Sequence, residues 1–273
     1  MLVICSAACG NPRTNPPPEN ALDSNETTGP VERPAVSLRP GHSVGDKFRT
    51  TRALRVEELT ETERYFTESE EVTLTEVLRV DDTGRLLGVR RAWELSVTRL
   101  VKGYGRGEEA RGELDGCTLE LTRRNNGVEA KVLAGNPGIR GANFLIEGFD
   151  TGLLPLDPVR EGEFWVLEGG RLGGLNSFIE AMQFEIEKNK LTCQAVEISP
   201  SAARISMEWH ITGKWQGAVA VLAFDGEFRF DRKSRMVTGL KLSGGRQGQR
   251  GAKQQIEIEV TRRSVQGWLD LDR

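Results

Sequence analysis

Ala203-Arg204-Ile205-Ser206-Met207-Glu208-Trp209-His210-Ile211-Thr212 alternates apolar and polar without a break. A helix would scatter these residues around its axis. A strand sends successive side chains to opposite faces, so Ala203, Ile205, Met207, Trp209 and Ile211 fall on one side and Arg204, Ser206, Glu208, His210 and Thr212 on the other. One wet face and one buried face is the pattern of an antiparallel sheet. The same period of two recurs at Val72, Leu74, Leu78 and Val80, at Val89, Trp93, Leu95 and Val97, and at Ile256, Ile258 and Val260. Asp115-Gly116, Asn126-Gly127 and Asp225-Gly226 read as turns between runs. Helix is expected only briefly, over 177–182 and within 139–147. The fold class is therefore all-β: a large antiparallel curved sheet, as a half-barrel or a sandwich, with few short helices.

The pattern is written twice. Val44-Gly45-Asp46-Lys47-Phe48 recurs as Glu161-Gly162-Glu163-Phe164-Trp165, and Val80 to Leu95 matches Val196 to Ile211, setting Trp93 on Trp209 and Val89 on Ile205. Leu114-Asp115-Gly116 and Phe224-Asp225-Gly226 each open an alternating run, a charged turn and a second run. Two similar meanders are expected within a β-rich body at 44–265, with half-repeats 44–155 and 156–265 and a C-terminal tail at 266–273.

Composition allows a real core, with 37% hydrophobic residues in a chain of 273. Basic and acidic residues nearly balance, 37 against 40, and the basic clusters Arg123-Arg124, Arg232-Lys233-Ser234-Arg235 and Arg262-Arg263 sit where turns or strand ends fall. That argues against a nucleic-acid surface. No apolar run approaches the ~20 residues of a membrane-spanning helix.

The first residues, Met1-Leu2-Val3-Ile4-Cys5-Ser6-Ala7-Ala8-Cys9-Gly10, are apolar, then small, then cysteine. Ser6-Ala7-Ala8-Cys9 resembles the lipobox of a bacterial exported lipoprotein, whose cysteine follows a small residue and receives the lipid. Cys5 follows the bulky Ile4 and does not fit. The stretch has no basic n-region and only a short apolar one, so residues 1–9 read as an incomplete signal peptide. Residues 10–43 hold most of the prolines and little aliphatic periodicity, which reads as a disordered tether. The Gly-Asp-x-aromatic openings and Leu153-Leu154-Pro155-Leu156-Asp157-Pro158-Val159-Arg160-Glu161-Gly162 are similar to uncharacterised two-repeat envelope lipoproteins. At fold level the body also resembles a half-barrel of the lipoprotein-carrier type. These resemblances imply lipidation at Cys9, a membrane partner, a location in the bacterial cell envelope, and either an apolar or amphipathic ligand on a concave sheet or a filled scaffold that meets other envelope proteins.

Candidate chemistry is sparse. His42 lies in the expected tether and His210 on a polar strand face; without Cys/His spacing a zinc site has no basis, and no cofactor is implied. No Gly-x-Ser-x-Gly elbow precedes a helix, and Gly103-Tyr104-Gly105-Arg106-Gly107 lacks the Lys-Ser/Thr end of a phosphate loop. Glu68, Glu70, Glu71, Glu185 and Glu187 read as outward charges. A non-enzymatic protein is expected. Trp93 and Trp209 are candidate core anchors or walls of a pocket shared by the halves, and Cys117 and Cys193 are either a candidate disulfide or small core residues.

Overall fold

The computed structural model describes residues 34–59, 63–82, 84–103, 107–125, 127–138, 145–146, 148–150, 152–215, 217–246 and 253–267. Among these residues there are twelve strands: β1 (Lys47–Leu59), β2 (Arg64–Val80), β3 (Leu86–Lys102), β4 (Glu108–Arg111), β5 (Thr118–Arg124), β6 (Gly127–Ala134), β7 (Phe164–Glu168), β8 (Phe184–Ile198), β9 (Ala202–Trp215), β10 (Ala218–Asp231), β11 (Met236–Arg246) and β12 (Lys253–Ser264). They form one antiparallel sheet, in the order β6-β5-β3-β2-β1-β12-β11-β10-β9-β8-β7, with β4 added to β3. The sheet is open, with β6 and β7 at its ends, and is neither a closed barrel nor two facing sheets.

Both halves are meanders in the same register. Phe48 lies opposite Thr75, and Trp165 opposite Cys193; Val89 sits between Val77 and Leu121, and Ile205 between Ala195 and Phe228. Their openings are bonded alike. Gly45 N–H donates to Val77 O at 2.8 Å and Val77 N–H to Asp46 O at 2.9 Å; Gly162 N–H donates to Ala195 O at 2.7 Å and Ala195 N–H to Glu163 O at 3.0 Å. Gly45 and Gly162 adopt φ of 91° and 90°, a left-handed conformation open to glycine at no steric cost.

The halves diverge after that opening. β1 runs on for thirteen residues, whereas β7 stops at Glu168. Gly169-Gly170 and Gly173-Gly174 weaken strand propensity there, and the chain turns into a 3-10 turn (Gly169–Leu172) and helix α1 (Gly173–Glu180). The helix thus begins four residues before the expected 177–182. Leu172, Leu175, Phe178 and Ile179 share one helical face and are buried against the sheet. Gly174 permits a close approach: a Cβ there would lie 2.2 Å from Gly148 O. Most of the expected helix at 139–147 lies outside the described residues, and residues 145–146 are not helical.

The larger hydrophobic cluster joins α1, residues 149–159 and strands β7 to β12, and Trp209 is its largest fully buried side chain. The smaller holds Phe48, Val77, Val89, Trp93, Leu119, Leu121, Ile146 and Met236. Residues 34–43, expected in the tether, belong to the body. Val36 bridges to Val159, Leu38 is fully buried, and Gly41 N–H donates to Arg235 O at 3.1 Å. Two apolar side chains among the prolines were enough to dock this strap. Cys5, Cys9 and the tether before residue 34 lie outside the described residues.

Candidate functional site

The strands carry an ionic layer between the two hydrophobic clusters. In β1 the inward row runs Phe48, Thr50, Arg52, Leu54; in β12 it runs Ile256, Ile258, Val260, Arg262. Arginine therefore replaces an apolar residue on the covered face of both strands. Arg262 Nη1 and Nη2 donate to Asp150 Oδ2 and Oδ1 at 2.7 and 3.0 Å, with both side chains buried. Its guanidinium lies 4.7 Å from the Phe48 ring centroid and 4.5 Å from that of Phe149. Arg52 faces Glu71 at 3.5 Å, donates to Ser177 Oγ at 3.0 Å and lies 4.1 Å over Phe178. Arg91 donates to Thr75 Oγ1 at 3.1 Å and to Leu145 O.

Burial raises the pKa of the Asp150 carboxyl, but the charge and hydrogen bonds of Arg262 outweigh it and hold the group below its usual range. Burial lowers Arg91 to about 10. His42 stacks on Phe48 with ring centroids 5.7 Å apart, and its Nδ1 is buried without a hydrogen-bond partner. Burial, aided by Arg262, lowers its pKa against the opposing pull of Asp150 and Asp46. The histidine expected to be solvated in the tether is instead half-buried against Phe48. His210 is exposed on β9, across from Lys190.

Trp93 and Trp209 are both buried, but they sit in different clusters. Leu95 and Val97 do not share the Trp93 face as expected. Val72 pairs with Leu95 and Thr73 with Trp93, so Glu94 is an extra residue that reverses the alternation. Cys117 and Cys193 are free and separately buried, because Cys193 belongs to the larger cluster while Cys117 packs at the mouth of β5 beside Gly135. The candidate disulfide is not formed, and both thiols are buried side chains. Burial pushes the Cys193 thiol up to about 12.

Open clefts among the described residues include two beside this interior. One of about 260 Å3 lies over Ala53 and Val97 and is rimmed by Arg55, Glu68, Glu70, Arg99, Glu257 and Glu259. The other, of about 570 Å3, lies between the strap and the β10–β11 turn, beside Asp46, Lys47, Asp231 and Lys233. Both are rimmed by charge. Among the described residues no group of His, Cys, Asp and Glu is placed to hold a metal ion.

Fold and site define an all-β protein whose single open sheet is covered on one face by its own chain. No family profile matches it, and no curated protein does. A solved structure of lipovitellin, described for its lipid–protein interactions, is similar over 84% of this chain and 26% of that one, at 5% identity and a TM-score of 0.47. This chain thus spans about a quarter of that one.

Proposed function

We propose that this chain is a non-catalytic lipoprotein of the bacterial envelope, held at a membrane through lipid on Cys9, and that its body is an interaction scaffold rather than a carrier. The filling of the covered face supports the scaffold reading. Leu38, Leu153, Leu172, Leu175, Phe178 and Ile179 are buried where an apolar ligand would otherwise lie. The larger of the two clefts is lined by Asp46, Lys47, Asp231 and Lys233, whereas acyl-chain sites are lined by apolar side chains. The carrier reading needs an empty apolar cavity or a cover that moves aside.

Native mass spectrometry of the purified body tests the choice. A mass equal to the polypeptide supports the scaffold, and co-purifying lipid restores the carrier. The anchor is tested separately, by expression in a bacterium behind a complete signal. Cys9→Ser should move the protein from membranes to the soluble fraction while Cys5→Ser should not; equal partitioning of wild type and Cys9→Ser removes the lipoprotein reading.

A further inference from the structure

The two meanders open alike but end differently at their outer edges. In the first, the edge of β1 is occupied: β12 pairs along it from Phe48 to Leu59, and Lys47 O accepts a hydrogen bond from Val265 N–H at 2.9 Å. Phe164 holds the place of Lys47 in the second meander. Ala195 N–H donates to Glu163 O, so alternation directs the backbone groups of Trp165 and Leu167 toward β8 and those of Phe164, Val166 and Glu168 toward the open edge. Among the described residues nothing bonds to them on that side.

Natural sheets blunt such edges with lysine, proline or bulges. Phe164-Trp165-Val166-Leu167-Glu168 has none of these, and Phe164 and Val166 are 65% and 48% exposed. The opposite edge, β6, carries Lys131 and Glu129 and has a register shift in its pairing with β5. A second copy of the chain fits β7 poorly. Symmetric antiparallel pairing about Val166 sets each Phe164 against the Glu168 carboxylate of the other copy.

We propose that the free edge of β7 is a strand-addition site for an extended segment of a partner protein, with apolar residues opposite Phe164 and Val166 and a basic residue opposite Glu168. This deepens the scaffold reading and rests on it. Backbone hydrogen bonds would supply affinity, and the alternating side chains selectivity, as in other β-augmentation.

The test uses a fluorescein-labelled peptide, Lys-Thr-Val-Thr-Val-Thr, and its Glu-Thr-Val-Thr-Val-Thr counterpart, titrated into the purified full chain. The lysine peptide should bind saturably and slow amide exchange at Val166. The glutamate peptide should bind about threefold more weakly, the scale of one cross-strand charge pair, and Glu168→Lys should reverse that order. Val166→Pro removes an N–H that faces the open edge, so it should abolish binding while leaving the melting temperature nearly unchanged. Binding unaffected by Val166→Pro overturns the proposal, as does absence of protection at Val166 or an edge-dependent dimer of the chain alone. Failure of the peptide with a lipid-free body sinks the edge only; co-purifying lipid sinks the scaffold reading.

Discussion

Arg262 and Asp150 lie 112 residues apart in sequence and meet in a buried bidentate ion pair, its cation flanked by Phe48 and Phe149. The pair ties the last strand to the segment that covers the sheet. Removing one partner leaves the other charge buried, so Asp150→Ala should cost about 3–5 kcal/mol. Replacing both, as Arg262→Met with Asp150→Leu, should cost clearly less than Asp150→Ala. Urea denaturation of Asp150→Ala, of the double variant and of its two singles, Arg262→Met and Asp150→Leu, checks this. A double variant as unstable as the sum of the singles would show that the pair does not act as a unit.

His42 makes stability depend on mild acidity. Its folded pKa lies below the 6.5 of the unfolded chain, so the unfolded state takes up the proton first as pH falls. Stability should be unaffected by this group above pH 6.5 and decline below it, down to the folded pKa. Asp150 acts in a lower window: its contribution is present above 3.8 and lost as pH falls through its depressed value. His42→Phe keeps an aromatic ring against Phe48 and should flatten the denaturation free energy just below pH 6.5. An unchanged slope would mean that another group titrates there.

Trp209 is fully buried, packs 5.5 Å from Phe224 between ring centroids, and leaves its indole Nε1 without a partner. Trp209→Ala and Trp93→Ala should each cost about 3–5 kcal/mol. Trp209→Phe should cost much less, since it also removes an unpaired donor whose burial costs about 1–3 kcal/mol. His210→Ala, on the exposed face, should change stability by less than about 0.5 kcal/mol. Thermal and urea melts of the series decide; a marginal effect of Trp209→Ala would remove it from the core.

The buried thiols give a simple chemical result. Ellman's reagent should leave Cys117 and Cys193 unreacted in the native protein and titrate both in denaturant, and a reducing agent should not shift the melting temperature. A drop in melting temperature on reduction would show a disulfide.

Alternation made the sheet legible in sequence, most clearly in β9, where each residue from Ala203 to Ile211 obeys it. It failed where an arginine occupied an apolar place. Arg52 and Arg262 fall on the phase of Leu54 and Val260, and that phase was the available sign of the ionic layer. Asp225-Gly226 looked like a turn but lies inside β10, where a Cβ on Gly226 would come within 2.0 Å of Lys241 O. The glycine serves close strand approach rather than reversal. The strap was missed because composition averages over a segment, whereas docking needed only Val36 and Leu38.

The neighbours at the middle of the sheet are its first and last strands, β1 and β12, joined over twelve residue pairs. During synthesis the first meander can close its hairpins as they emerge, but the edge of β1 waits for nearly the whole remaining chain. This contact spans the longest sequence separation among the strand pairs, and such contacts slow folding because loop closure precedes their reward. A nascent chain stalled before residue 253 would present β1 as an open template. Aggregation of this protein should therefore track the delay between translation of β1 and translation of β12, and emergence of β12 should be the step that ends it.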